Sequence, residues 1–248
     1  MVISVPKALK EEPFKTDSSQ TKPLSTAPLK TSTLKMVGLF GGTFDPVHIG
    51  HLRTALELRE LLGLSELRLL PCARPPHREQ PGVTAERRLE MLELGIGSGH
   101  DSELGLVADD RELRRQGLSY TIDTLVQMRA ELGENVALCL CLGMDSLVNL
   151  HTWHRWQSLG DYAHIVVAAR PGWHLPDSGP VADWLEGRIV TDPSLLATLP
   201  CGHVMVEEMT LLPVSATQIR QDLTAGRSVR YLVPDTVIHY INQHCLYK

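Results

Sequence analysis

Gly41-Gly42-Thr43-Phe44-Asp45-Pro46-Val47-His48-Ile49-Gly50-His51 follows the short apolar run Met36-Val37-Gly38-Leu39-Phe40 and leads into a helical pattern from Ile49 to about Leu62. The order is strand, glycine turn, helix N-terminus. Paired glycines let the backbone approach a bulky anion, and a helix start presents unpaired N–H groups carrying roughly half a positive charge. His48 and His51, three residues apart, fall as near neighbours at the first turn. They can donate to a phosphate without adding a nucleophile. The stretch therefore holds the parts that stabilise charge on a phosphoryl group in transfer.

Working outward, strand and helix patterns alternate. Leu67 to Pro71 reads as a strand ending in the loop Ala73 to Arg78, and Thr84 caps a helix whose apolar positions Leu89, Leu92 and Ile96 recur at helical spacing. Leu104 to Ala108 reads as another strand, followed by a strongly charged loop from Asp109 to Leu118. Ser119-Tyr120-Thr121 opens a helix through about Leu132. Val136 to Leu142 is the apolar run of a central parallel strand, buried on both faces. After Gly143-Met144-Asp145-Ser146-Leu147 and a Trp-rich segment come a strand over Ile165 to Ala169, a Pro/Gly-rich loop from Arg170 to about Pro180, and a last strand over His203 to Glu207. This alternation predicts an α/β fold with an open, doubly wound parallel sheet. In that architecture ligands sit at the carboxyl ends of strands, which is where the motif residues fall.

A second motif, Val214-Ser215-Ala216-Thr217-Gln218-Ile219-Arg220, opens a helix running to about Gly226. Ser215 is a natural N-cap, Thr217 sits in the first turn, and Arg220 can reach back with a fork of donors suited to phosphate oxygens.

Together these stretches resemble a known family. His-x-Gly-His is similar to the signature of the nucleotidylyltransferase superfamily, and the full GGTFDPVHIGH string is most like the bacterial nicotinate-nucleotide adenylyltransferases. The second motif resembles the superfamily's Ile-Ser-Ser-Thr-x-Ile-Arg, with Val214 and Ala216 in place of Ile and Ser. The resemblance implies a Rossmann-like single domain over residues 36–248, with a small C-terminal helical part. It implies AMP transfer from ATP to nicotinate mononucleotide, with Mg²⁺ carried by the ATP and no metal bound by the protein itself. His51 would donate to the α-phosphate and His48 would assist. Gly41, Gly42, Thr43, Phe44, His48, Gly50 and His51 would lie on the ATP, and Ser215, Thr217 and Arg220 would hold its outer phosphates. His77 and Arg78 would bind the mononucleotide phosphate, Thr121 and Asp145 would line the acceptor pocket, and Trp153 would stack on the pyridine ring, with Trp156 left to the core. A phosphopantetheine or glycerol-phosphate nucleotidylyltransferase is the near alternative, and a non-catalytic nucleotide sensor the alternative from another class.

Composition bounds the rest. A chain of 248 residues with 43% apolar and 21% charged content has ample material for a core. A net charge of −5 gives no general electrostatic case for nucleic acid as a partner. Cys72, Cys139, Cys141, Cys201 and Cys245 are odd in number and contain no CxxC pair, which fits a reducing cytoplasm better than a disulfide framework. No apolar run is long enough for a membrane helix, and the N-terminus lacks a signal-peptide core. Residues 1–35 hold six of the seven lysines, are rich in Pro, Ser and Thr, and show no apolar periodicity. Such a segment is expected to be disordered, with Met36 standing as a possible start of the domain.

Overall fold

The computed structural model describes residues 33–74, 82–97, 104–210 and 212–248. The expectations for residues 1–32, and those for His77 and Arg78, lie outside the described residues. The chain alternates as predicted: β1 (Lys35–Gly42), α1 (Ile49–Leu62), β2 (Glu66–Pro71), α2 (Ala85–Ile96), β3 (Leu106–Ala108), α3 (Arg111–Arg114), α4 (Thr121–Leu132), β4 (Val136–Gly143), α5 (Met144–Val148), β5 (His164–Ala169), α6 (Pro180–Leu185), β6 (Val204–Glu208), α7 (Ala216–Thr224) and α8 (Asp235–Gln243). Short 3₁₀ turns span Leu150–Thr152, Trp156–Asp161 and Pro193–Thr198. All strand pairings are parallel, in the order β3-β2-β1-β4-β5-β6. The first strand and the fourth are thus neighbours, and the chain winds away from them in both directions.

Strand β4 shows why the sheet is buried on both sides. Its Ala137, Cys139 and Cys141 pack with Leu58, Met91 and Val237 of α1, α2 and α8, whereas Leu138, Leu140 and Leu142 pack with Ile122, Leu125 and Met128 of α4. Successive side chains point to opposite faces, so an unbroken apolar run serves two cores at once. Truncating one of these leucines to alanine would cost about 2–5 kcal/mol. Both strand cysteines are buried and burial pushes their thiols up, Cys139 to about 12. They are packing residues, as the alternation implied, and all five cysteines are free thiols.

Four readings of local structure are corrected. Gly41 and Gly42 do not form a turn: they extend β1, pairing with Leu70 and Pro71 of β2. The turn begins at Thr43 and contains Phe44 at φ 49° and a cis Asp45–Pro46 bond. The charged loop after β3 contains the short helix α3, and the Pro/Gly-rich loop after β5 runs into α6. Leu34, expected in the tail, packs against the core and donates its amide to the Ala197 carbonyl (2.8 Å), so the folded part starts before Met36.

Candidate active site

The carboxyl ends of β1 and β4 part where the winding reverses, and an open α/β sheet binds ligands in that crevice. A cavity of about 250 Å³ lies there. Gly41, Gly42 and Thr43 from β1 and its turn form one wall, Gly143 and Ser146 another, and Thr121, Trp153 and His154 border it. The first intrahelical bond of α4 runs from Asp123 N to the Tyr120 carbonyl (3.1 Å), so the amide of Thr121, which borders the cavity, and that of the next residue, Ile122, have no partner inside the helix. Trp153 is half-buried, packing partly into the core while facing the cavity. His154 tilts against Tyr120 at 4.5 Å. Trp156 packs against Trp184, centroids 5.9 Å apart, in keeping with a core role. Asp145 is exposed on α5 and is not among the residues lining the cavity, which Gly143 and Ser146 border instead.

The histidines sit at the start of α1. His48 is the N-cap, 4% exposed, and its Nδ1 accepts from the His51 amide at 3.3 Å. The two rings stack with centroids 3.6 Å apart. Burial lowers His48 to about 4, and burial with the neighbouring His48 lowers His51 to about 3. Both rings are therefore neutral at neutral pH. A neutral imidazole still donates one N–H, and since His48 Nδ1 is an acceptor its proton lies on Nε2. His51 Nδ1 is buried without a hydrogen-bond partner among the described residues, a polar atom held for something not yet bound.

The residues between and beside them have steric reasons. A Cβ on Gly50 would stand 3.0 Å from His48 Nδ1 and 3.4 Å from Val214, so glycine lets the imidazole fold back and the second motif close in. A Cβ on Gly42 would meet the Phe44 ring at 2.8 Å. Phe44, expected on the nucleotide, is instead 1% exposed in the core, and its ring edge supports His51 at 5.0 Å.

The second motif faces the same turn. Ser215 is the N-cap of α7, but its Oγ accepts no cap hydrogen bond from the first-turn amides. Ile219, fully buried, anchors the helix. Arg220 donates to the Asp45 carbonyl at 2.7 Å and to Thr217 Oγ1 at 3.3 Å, which brings both motifs into one constellation across 175 residues of sequence.

Four polar residues at the site were not singled out by the sequence reading. Arg88, 1% exposed, donates to the carbonyls of Thr43 (2.6 Å), Cys72 (2.7 Å) and Val83 (3.3 Å), tying together the turns after β1 and β2. A signal existed: Arg88 shares the core-facing stripe of α2 with Met91, Leu92 and Ile96. Asp45 accepts from the Tyr247 hydroxyl at 2.5 Å. Glu112 of α3 borders the cavity, accepts from Thr124 Oγ1 (3.0 Å), and keeps its second oxygen without a partner among the described residues. No local pattern marks the last three. A wider groove beside β3 is also charged: on its walls Arg68 pairs with Glu131 (2.8 Å) and Arg111 with Asp109 (2.7 Å), while the Arg59 Nε is buried without a hydrogen-bond partner among the described residues.

A stacked pair of histidines and an arginine-bearing helix meet at the switch point of a parallel sheet, and residues 39–222 match a family model: the chain belongs to the cytidylyltransferase-like family. Two relatives narrow this. Proteins described as probable nicotinate-nucleotide adenylyltransferases are 52% identical over 214 residues in Pseudomonas fluorescens and 48% identical over 212 residues in Cellvibrio japonicus, each alignment covering 86% of this chain and 98% of the relative. Within the larger family, the chain belongs with the nicotinate-nucleotide adenylyltransferases. The fold is shared with a solved structure at 18% identity and a TM-score of 0.64, the Plasmodium falciparum nicotinic acid mononucleotide adenylyltransferase complexed with NaAD, over 86% of this chain and 97% of that one.

Proposed function

We propose that this chain transfers AMP from ATP to nicotinate mononucleotide, releasing pyrophosphate and forming nicotinate adenine dinucleotide for NAD biosynthesis. The observation that carries the mechanism is the stacked, neutral His48–His51 pair at the start of α1, with Arg220 turned toward the same loop. A phosphate oxygen of the acceptor attacks the α-phosphorus in line, a P–O bond forms, and the bond to pyrophosphate breaks. No side chain becomes covalently attached. The work is positioning and stabilisation of charge on the equatorial oxygens. His51 donates to an α-phosphate oxygen, and an anion held there favours the imidazolium that burial disfavours in the free protein. His48 caps the helix and holds the second ring. Ser215, Thr217 and Arg220 take the outer phosphates, with the α7 N-terminus behind them.

The donors at the site are imidazoles, hydroxyls, amides and a guanidinium, a set suited to anion oxygens. Among the described residues no group of three or more His, Cys, Asp or Glu side chains could cage a cation. Mg²⁺ carried by the ATP would supply charge neutralisation on the triphosphate, whose oxygens Ser215, Thr217 and Arg220 would hold. The acceptor ring lies in the cavity against Trp153, its carboxylate at the Thr121 and Ile122 amides. Among the described residues no helix is long and apolar enough to cross a membrane, and the protein is assigned to the cytoplasm on this reading.

The test is pyrophosphate release from ATP with nicotinate mononucleotide, nicotinamide mononucleotide, phosphopantetheine and glycerol phosphate as acceptors. Nicotinate mononucleotide should be used best; preference for either non-pyridine acceptor would overturn the reading. His51→Ala should lower turnover by roughly 10²–10³ with a small change in KM, the usual cost of removing one preorganised donor to a developing anion. A raised KM with unchanged turnover would reduce His51 to a binding residue.

A further inference from the structure

We propose that Tyr247 and Asp45 are positioning residues that set Arg220 for the triphosphate, an inference resting on the role given to Arg220 above. Asp45 lies in the turn between β1 and α1, with its carboxylate 7% exposed. Its Oδ1 accepts from the Tyr247 hydroxyl at 2.5 Å, and its Oδ2 stands 3.9 Å from Arg220 Nη1. The same Arg220 nitrogen donates to the Asp45 carbonyl at 2.7 Å. Tyr247 is itself fastened to the arginine's helix: Thr224, the last residue of α7, donates its hydroxyl to the Tyr247 carbonyl at 3.1 Å. The Tyr247 backbone lies at φ 60°, a conformation uncommon for a bulky residue, and it turns the ring inward toward the loop.

The phenol thus links three parts of the site. It holds the Asp45 carboxylate so that one oxygen stays beside Arg220, and it clamps the β1–α1 turn to the end of α7. Arg220 then has two of its five N–H groups engaged, on Asp45 and Thr217, and the others remain for ligand oxygens. A guanidinium ordered before the ligand arrives loses less rotamer freedom on binding, and its fork is already aimed. A phenylalanine would pack as well as Tyr247, but would leave Asp45 Oδ1 without its donor. The hydroxyl is the functional part.

A mutant cycle on ATP kinetics separates this from a merely structural role. Tyr247→Phe should raise the KM for ATP roughly five- to tenfold and leave the KM for nicotinate mononucleotide within about twofold. In an Arg220→Ala background the same change should add nothing, because the arginine through which it acts is gone. Asp45→Asn serves as a second variant that keeps an oxygen for Tyr247 but removes the charge beside Arg220, and it should behave alike. Equal fold-losses in both backgrounds, or a matching rise in the acceptor KM, would overturn the proposal while leaving the role of Arg220 intact. If Arg220→Ala alone left ATP kinetics unchanged, the assignment of Arg220 would fail first and this inference with it.

Discussion

The family resemblance puts Gly50, the glycine between the two histidines, on the ATP. In the folded chain Gly50 sits within the first turn of α1 with ordinary helical geometry, and what it provides is space: its missing Cβ is where His48 Nδ1 comes to rest. The steric reason was not legible in sequence, because Val214, the other neighbour of the missing Cβ, is brought in from far along the chain. Gly50→Ala tests the steric account. Alanine suits a helix interior better than glycine by roughly 1 kcal/mol, so the melting temperature should hardly fall. Turnover should drop about tenfold or more, because a displaced His48 no longer supports the His51 donor. Normal turnover in the alanine variant would show that the imidazole can shift without consequence. Arg88 teaches the complementary lesson. An arginine on the buried stripe of a helix looks like an error in the pattern until its three carbonyl partners are seen.

At the scale of elements, long and strongly periodic segments were legible and short polar ones were not. The bounds of α1 and the Thr84 cap of α2 fall where spacing and capping chemistry put them. The four-residue α3 was hidden in a run of charges that now forms paired side chains, among them Arg111 with Asp109. Helix α4 has the most to say about function, since its open N-terminus borders the cavity proposed for the acceptor. Amide donors and the Thr121 hydroxyl would satisfy a nicotinate carboxylate, whereas the NH₂ of a nicotinamide would face donors. Mispaired polar groups in a closed site cost about 1–3 kcal/mol each, enough for discrimination of two orders of magnitude. Trp153 can stack on either ring and so adds affinity without choosing. Trp153→Ala should therefore lower kcat/KM alike for the acid and the amide acceptor, and Thr121→Ala should narrow the ratio between them. An unchanged ratio in Thr121→Ala would move the discrimination onto the backbone amides alone.

Across the whole molecule, the class of sheet was readable from alternation, but its strand order was not. Periodicity records which faces are buried and carries nothing about which edge a returning strand joins. The move of β4 to the far side of β1 is what opens the crevice, and it depends on α4 packing on the face opposite to α1 and α2. Sheet and site also share one response to acid. His48 and His51 are lowered to about 4 and 3, and His164, fully buried on β5, to about 4, mainly by burial. His164 Nδ1 accepts from the His203 amide (3.0 Å), so its Nε2–H donates to the Leu199 carbonyl (2.9 Å), and the ring has no site left for a second proton. In the unfolded chain such rings titrate near 6.5. As pH falls through 6.5 the unfolded chain takes up protons that the folded chain refuses, so stability is full above that value and is lost progressively toward pH 4. For His164 alone the complete shift is worth roughly 3–4 kcal/mol. Comparing urea midpoints at pH 7.5 and pH 5 isolates this effect, because pH 5 still lies above the ordinary carboxylate range. The unmutated protein should lose stability between the two. His164→Leu should be weaker at both values, having lost two hydrogen bonds, yet should fall less from one to the other. Equal falls in the two proteins would place the acid sensitivity elsewhere, with the His48–His51 pair the next to test by the same comparison.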